Sequence, residues 1–385
     1  MKQTNNAIKF LMAQYRAIFK NANIAMAIAA ATAALAAGQA QAAVDGTYWT
    51  GLTAGAALTE EKDIEDNGDK KANDFDLTIK QGGKLILGGN GTSAGNYILN
   101  DKKKGYLNID GGELVIGKGK QNAATVKVTE VNVKNGTAHV GGATAGASSL
   151  TADTIVIGTK PASSETPDAS AKAAAAATAT FTIGQSGALA SSGDLTVHKD
   201  GEIKFLQAAT AADSKITAKN GISLNGGAIS VDNNGNGTVE SAITSTGGTI
   251  NVGTNGTNAT SLTVKANVTF DGEGGALNIA NQGSLILSSA DKDMSLNLGN
   301  AAVANKGTIQ FNIADKKTGT ITMTSDQYKT LFADSGKVAV SGASGTAKIA
   351  LEVTDNGEID LDYSQWWCKR RYQDRNKKQC SFRQH

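Results

Sequence analysis

A six-residue pattern, Gly-Gly-x-[Leu/Ile]-x-[Ile/Val/Leu], limits the folds open to this chain more than any other feature. It begins at Gly82-Gly83, Gly111-Gly112, Gly226-Gly227, Gly247-Gly248 and Gly274-Gly275, and single glycines at Gly283 and Gly307 occupy similar places. The apolar residues that follow recur with a period of two, as in Leu85 and Leu87, Leu114 and Ile116, Ile229 and Val231, Ile250 and Val252, Leu277 and Ile279, Leu285 and Leu287, and Ile309, Phe311 and Ile313. That period indicates strands with one apolar face. Glycine at the start of each permits positive φ and a tight corner. Asn-Gly pairs at Asn67, Asn90, Asn135, Asn236, Asn255 and Asn356 mark further corners, because Asn tolerates the left-handed region.

The spacing of the motif is irregular, as expected where one coil of a solenoid holds several short strands joined by turns of varying length. Only 5% of the residues are aromatic, too few to fill one wide globular core easily, whereas stacked coils need only thin layers of Val, Ile, Leu and Ala. The expected fold is all-β, a parallel β-helix (β-solenoid) with Gly/Asn-rich turns. Strand signals alone leave a β-sandwich array of Gly-rich hairpins open as the alternative. The expected organisation is an N-terminal cap or first coils over 43–80, solenoid over 81–159, a low-complexity loop over 160–180 and solenoid again over 181–364. The polar stretch from Thr59 to Asp76 belongs, on this reading, to the cap or a projecting loop. The loop at 160–180 holds Pro161, Pro167 and an alanine run from Ala173 to Ala177.

The two ends differ from this body. Residues 1–42 read as a cleavable signal peptide: Lys2, Lys9, Arg16 and Lys20 precede an apolar stretch from Ala22 to Ala37, and Ala40-Gln41-Ala42 places cleavage between Ala42 and Ala43. The apolar stretch is shorter than a spanning helix needs and mostly Ala, and no later segment is apolar enough to span a membrane. Residues 43–364 hold 26 Lys against 34 acids, a net charge of −8, which argues against nucleic acid as a partner. Arginine is absent from 17–369, yet Arg370, Arg371, Arg375 and Arg383, both cysteines (Cys368 and Cys380) and Trp366 and Trp367 crowd the last residues. The abrupt change makes 365–385 an aberrant basic tail, read as a frameshift product. The rival readings are a disulfide-closed tail pairing Cys368 with Cys380 and a functional basic tail.

Motifs that carry chemistry elsewhere are incomplete here. Gly91-Thr92-Ser93-Ala94-Gly95 has the letters of a nucleophile elbow but no following helix, and nothing places His139 or His198 beside Ser93. Ala333-Asp334-Ser335-Gly336 reads as a turn. Gly112 to Lys118 spells Gly-x-x-x-x-Gly-Lys, but Gly119 replaces the magnesium-binding Ser or Thr and Glu113-Leu114-Val115-Ile116 reads as a strand. Lys102-Lys103-Lys104 reads as an exposed loop. Asp232, Asn234 and Asn236 reproduce the first half of a calcium loop, but Ile243 stands where a bidentate Glu is wanted, so they form a weak calcium candidate. No catalytic or cofactor-binding residue is assigned, and the chain is read as a non-enzyme. The main rival, a secreted β-helix polysaccharide lyase or glycosidase, needs an Arg or Lys base with calcium-bound carboxylates, or closely paired acids.

The long signal ending Ala40-Gln41-Ala42, the Gly-Gly-x-Leu-x-Ile coils, and the segments Gly336-Lys337-Val338-Ala339-Val340 and Asn356-Gly357-Glu358-Ile359-Asp360-Leu361 resemble the passenger domain of autotransporter (type V secretion) adhesins of Gram-negative bacteria. The resemblance covers most of residues 1–364. It implies a right-handed β-helix at the cell surface with outer-membrane attachment, acting in adhesion, aggregation or biofilm. The implied partners are a host or bacterial surface glycan or protein, or a second copy, with no cofactor. Such proteins end in an outer-membrane β-barrel; its absence before the tail makes truncation the expectation, with passenger and barrel continuing downstream in another frame.

Overall fold

The computed structural model describes residues 46–66, 68–89, 93–117, 123–142, 147–160, 179–206, 214–232, 235–253, 258–333, 336–341 and 346–355, and the backbone of two strands at 367–370 and 378–383. The compact unit they belong to spans Asp45–His385. The proposed cleavage site at Ala42 and Ala43 and nearly all of the low-complexity loop (161–178) lie outside the described residues.

The chain winds as a parallel β-solenoid. Each full coil contributes one strand to each of three sheets, here called I, II and III. One coil runs Leu195–His198 (I), Gly201–Phe205 (II) and Lys215–Ala218 (III), and the next lays Ile222–Asn225, Ala228–Val231 and Asn236–Val239 on them in register. Every strand pair within 46–355 is parallel, and sheet III alone stacks eleven strands. Hairpins do not join these strands, so the sandwich alternative falls away. Two long strands, Gly105–Ile116 and Glu130–Val140, run through the corner from sheet I into sheet II without a break.

Inward side chains form continuous columns. On sheet I, Leu77, Leu107, Val131, Ile155, Leu195, Ile222, Ile243, Val268, Leu296, Ile321 and Leu351 are successive register partners. On sheet III, Tyr97, Val126, Leu150, Leu189, Ile216, Val239, Val264, Leu287, Phe311 and Val340 do the same. Almost all are sealed from solvent, and each such side chain contributes roughly 1.5–3 kcal/mol. The interval between neighbours varies from 21 residues, Ile222 to Ile243, to 40, Ile155 to Leu195. The irregular motif spacing thus reflects turn length while the rungs stay in register.

All five Gly-Gly pairs stack at one corner, between sheets I and II. The first glycine of each takes positive φ, 88° at Gly111 and 72° at Gly247. The second has no room for a side chain, since a Cβ on Gly248 would lie 2.5 Å from Leu224 Cβ and 2.7 Å from the Gly227 carbonyl oxygen. Gly283 and Gly307, expected at similar places, turn instead at the corner from sheet II to sheet III, before Gly283–Ser289 and Thr308–Ile313. Asn135-Gly136 sits at the I–II corner as expected, with Gly136 at φ 111°. Asn236-Gly237 does not turn. It lies within a sheet III strand, where Gly237 makes room for the Phe205 ring, 2.6 Å from its would-be Cβ. Asn67, Asn90, Asn255 and Asn356 are outside the described residues.

A short helix closes the N-terminal end of the described stack, and a second ends sheet II. Helix α1 (Thr47–Thr50) buries Trp49 edge-on against Phe75 and Tyr97, at centroid distances of 5.2 and 5.6 Å, and Trp49 Nε1 donates to the Ile98 carbonyl. The polar stretch that follows forms strands of the first coil, Glu61–Glu65 and Gly68–Ala72. Helix α2 (Ser325–Leu331) replaces the sheet II strand of its coil and lies on the edge of Ala302–Asn305. A capping box joins Thr324 and Gln327, with Asp326 and Lys329 in the turns that suit the helix dipole. Gln327 Nε2 donates to the Gly299 and Ala301 carbonyls, and buried Asn305, placed where earlier rungs carry Ile279 and Val252, donates to the Leu331 carbonyl and accepts from Gly307 N.

Replacing Asn305 by Leu restores an apolar column but strands the Leu331 carbonyl and the Gly307 N–H, at about 1–3 kcal/mol. Amide exchange across Ser325–Leu331 should accelerate while Ala276–Ile279 stays protected; unchanged protection of the helix contradicts this docking. In the tail, Lys378–Arg383 pairs antiparallel with Lys348–Val353, and Trp367–Arg370 pairs antiparallel with Lys378–Arg383. That register sets Cys380 opposite Arg370 and Cys368 opposite Phe382.

Candidate functional site

With the apolar columns inside, the chemistry available to a partner is on the three outer faces and at the corners. Outward residues of successive coils stand in line about 4.8 Å apart, so one residue type repeated at a rung position becomes a polar ladder. Asn132 Nδ2 donates to Asn108 Oδ1 at 3.0 Å, and Asn108 Nδ2 to Asp76 Oδ1 at 2.7 Å. On sheet II, Asn278 donates to Asn251, and Asn251 to Ser230. These bonds cross from coil to coil and hold the surface groups in place.

Charged residues pair across the coils. Lys265 Nζ lies 2.9 Å from Glu240, and this hydrogen bond, with another from Thr217, holds the Glu240 carboxyl below its ordinary pKa. In the Lys102-Lys103-Lys104 turn, the Lys104 backbone N–H and then the Lys103 ammonium bond to Asp74 and lower its pKa. The lysine run is therefore tied to its neighbour coil.

The sequence-selected residues are dispersed. Asp232 forms an ion pair with Lys204 at 3.1 Å, and Asn236 Oδ1 accepts from Ser261; Asn234 lies outside the described residues. A cation at Asp232 has to displace Lys204. Ser93 precedes the sheet III strand Gly95–Leu99, while His139 is on sheet II and His198 ends a sheet I strand. Glu113–Ile116 forms part of a strand rather than a phosphate loop. Asp334 and Ser335 are outside the described residues. Among the described residues, no three His, Cys, Asp or Glu side chains converge as metal ligands, and no helix is long and apolar enough to cross a membrane.

Burial lowers the pKa of both histidines. His139 Nε2 bonds the Gly141 carbonyl, while His198 Nδ1 is buried without a partner and is further lowered by Lys160. Between the depressed folded pKa and the ordinary value near 6.5, the unfolded chain binds more protons, so stability is complete above pH ~6.5 and declines below it, by at most about 1.4 kcal/mol per pH unit for each site. Thermal unfolding at pH 7.5 and pH 5.5 checks this: His198→Leu should shrink the loss, and an unchanged loss contradicts it.

Sequence reasoning missed the outer column of sheet I. Val156, Thr196, Ser223, Thr244, Thr269, Asn297 and Thr322 are register partners, all at least partly exposed. The signal was present as uncharged residues alternating with the apolar ones, but only the register brings them into one line. Comparison with protein-family models, curated proteins and solved structures returned no match.

Proposed function

We propose that the chain is exported through the inner membrane and acts at the bacterial surface or outside the cell as a passenger-like adhesin of the autotransporter type, binding through its faces. The observation that carries this reading is the stack itself: parallel coils locked by buried columns present ordered polar ladders over the length of a rod. Such a surface is preorganised, so little side-chain entropy is lost when an extended partner docks. The signal at residues 1–42 and the Gly-Gly coils support the same reading.

Its test is a set of binding assays of the full chain against surface glycans, matrix proteins and itself, with cell-surface labelling of the producing bacterium. Retention in at least one arm and surface labelling are expected. Blank results in every arm, together with cleavage of a polysaccharide, overturn the reading.

A further inference from the structure

We infer that the outer face of sheet I, from Thr154 to Thr322, is a docking strip for an uncharged linear polysaccharide; this rests on the surface-binding reading above. Seven successive strands build it: Thr154–Ile157, Leu195–His198, Ile222–Asn225, Ile243–Thr246, Val268–Phe270, Met294–Asn297 and Thr318–Met323. Their outward positions carry Thr, Ser and Asn, apart from Val156 and the buried His198 at the end of its strand. None carries an acid or a lysine, although residues 43–364 hold 26 Lys and 34 acids.

On the other two faces the uncharged run is broken within the coil 195–218, by outward Glu202 and Lys204 on sheet II and Lys215 on sheet III. Charges flank the strip at its corners, among them exposed Asp153, Asp194, Lys265 and Asp293 on one side and Lys199 and Asp271 on the other, and at its two ends, at Glu130 and at Lys348 and Glu352. The face is therefore an uncharged strip, running along the solenoid axis between charged margins.

Hydroxyls and carboxamides both donate and accept, and β-branched Thr has few rotamers to lose. Sugar hydroxyls need that chemistry, and an anionic partner gains no cation from this strip. Its dimensions decide against a second copy. Seven rungs spaced about 4.8 Å apart and four residues of about 3.3 Å each give roughly 30 by 12 Å, or about 350 Å². A stable protein interface takes about 800 Å² per partner. A single extended glycan chain fits the width, and a second solenoid would also bring its charged corners against these.

The experiment is retention of the full chain on insoluble cellulose, chitin and immobilised mannan, beside heparin and alginate as anionic counterparts, at low and high salt. Thr244→Lys/Thr269→Lys places charge on the strip, and Thr249→Lys/Ala276→Lys does so on sheet II; circular dichroism confirms the fold of both. The expected result is salt-independent retention on at least one neutral polymer, weakened about tenfold or more by the sheet I variant and unchanged in the sheet II variant. No retention on any neutral polymer, or equal retention by the sheet I variant, overturns the inference. If the chain then holds matrix proteins or itself, the inference fails while the surface-binding reading stands. Release of soluble sugar from the polymer sinks both.

Discussion

Gly248→Val should destabilise the solenoid by about 3 kcal/mol or more and split its unfolding into two transitions. The Cβ it introduces falls 2.5 Å from Leu224 Cβ, 2.7 Å from the Gly227 carbonyl and 2.9 Å from the Leu224 carbonyl. Two of those atoms are backbone of the preceding rung, so the clash is relieved only by moving coils apart. In a solenoid each coil touches only its neighbours, and stability is the sum of coil and interface terms. A lesion between the strands that begin at Ile222 and Ile243 therefore leaves two shorter stacks that melt separately. The adjacent Thr249 faces outward, and Thr249→Val should stay within about 0.5 kcal/mol. Urea unfolding followed by circular dichroism compares the two; a Gly248→Val curve superimposed on the parent contradicts the corner packing.

Trp49→Ala should cost about 3–5 kcal/mol, concentrated at one end. Trp49 is sealed from solvent and fills the space beside Phe75 and Tyr97, whose hydroxyl lies 2.9 Å from the Ile64 carbonyl and 2.6 Å from that of Gly88. Removing the indole opens a cavity among three aromatic groups and leaves the Ile98 carbonyl without its indole donor. Because coupling is local, the coils distant from the cap keep their packing. Amide exchange should accelerate across Glu61–Glu65 and Gly68–Ala72 and stay slow across Gly283–Ser289. Uniform acceleration along the whole chain contradicts a quasi-one-dimensional stack.

The coil was legible where the physics is local. Gly111-Gly112 and Gly247-Gly248 announce a corner because the first residue needs positive φ and the second leaves no space for Cβ, and Leu277 and Ile279 announce a buried face by their period. Features set by the neighbouring coil were not legible. Gly283 precedes an apolar alternation just as Gly275 does, yet it turns at another corner, since the motif does not say which sheet follows. Asn236-Gly237 has the letters of a turn, but the Phe205 ring one rung below needs the space that Gly237 leaves. The capping box at Thr324 and Gln327 is a local helix signal that the β periodicity on either side obscured. The uncharged strip depends on register, which a single sequence with turns of 21 to 40 residues between partners does not reveal.

Pairs of spin labels along sheet I test the parallel stack most directly. With Cys368 and Cys380 replaced by serine, a label at Thr196 paired in turn with one at Thr269, Asn297, Thr322 or Glu352 spans three, four, five or six rungs. The mean distances should rise in that order, by about 4.8 Å per rung, from about 14 to about 29 Å. Distances that fail to increase along this series, or that alternate between near and far as hairpins of a sandwich would make them, contradict the solenoid and the binding strip built on it.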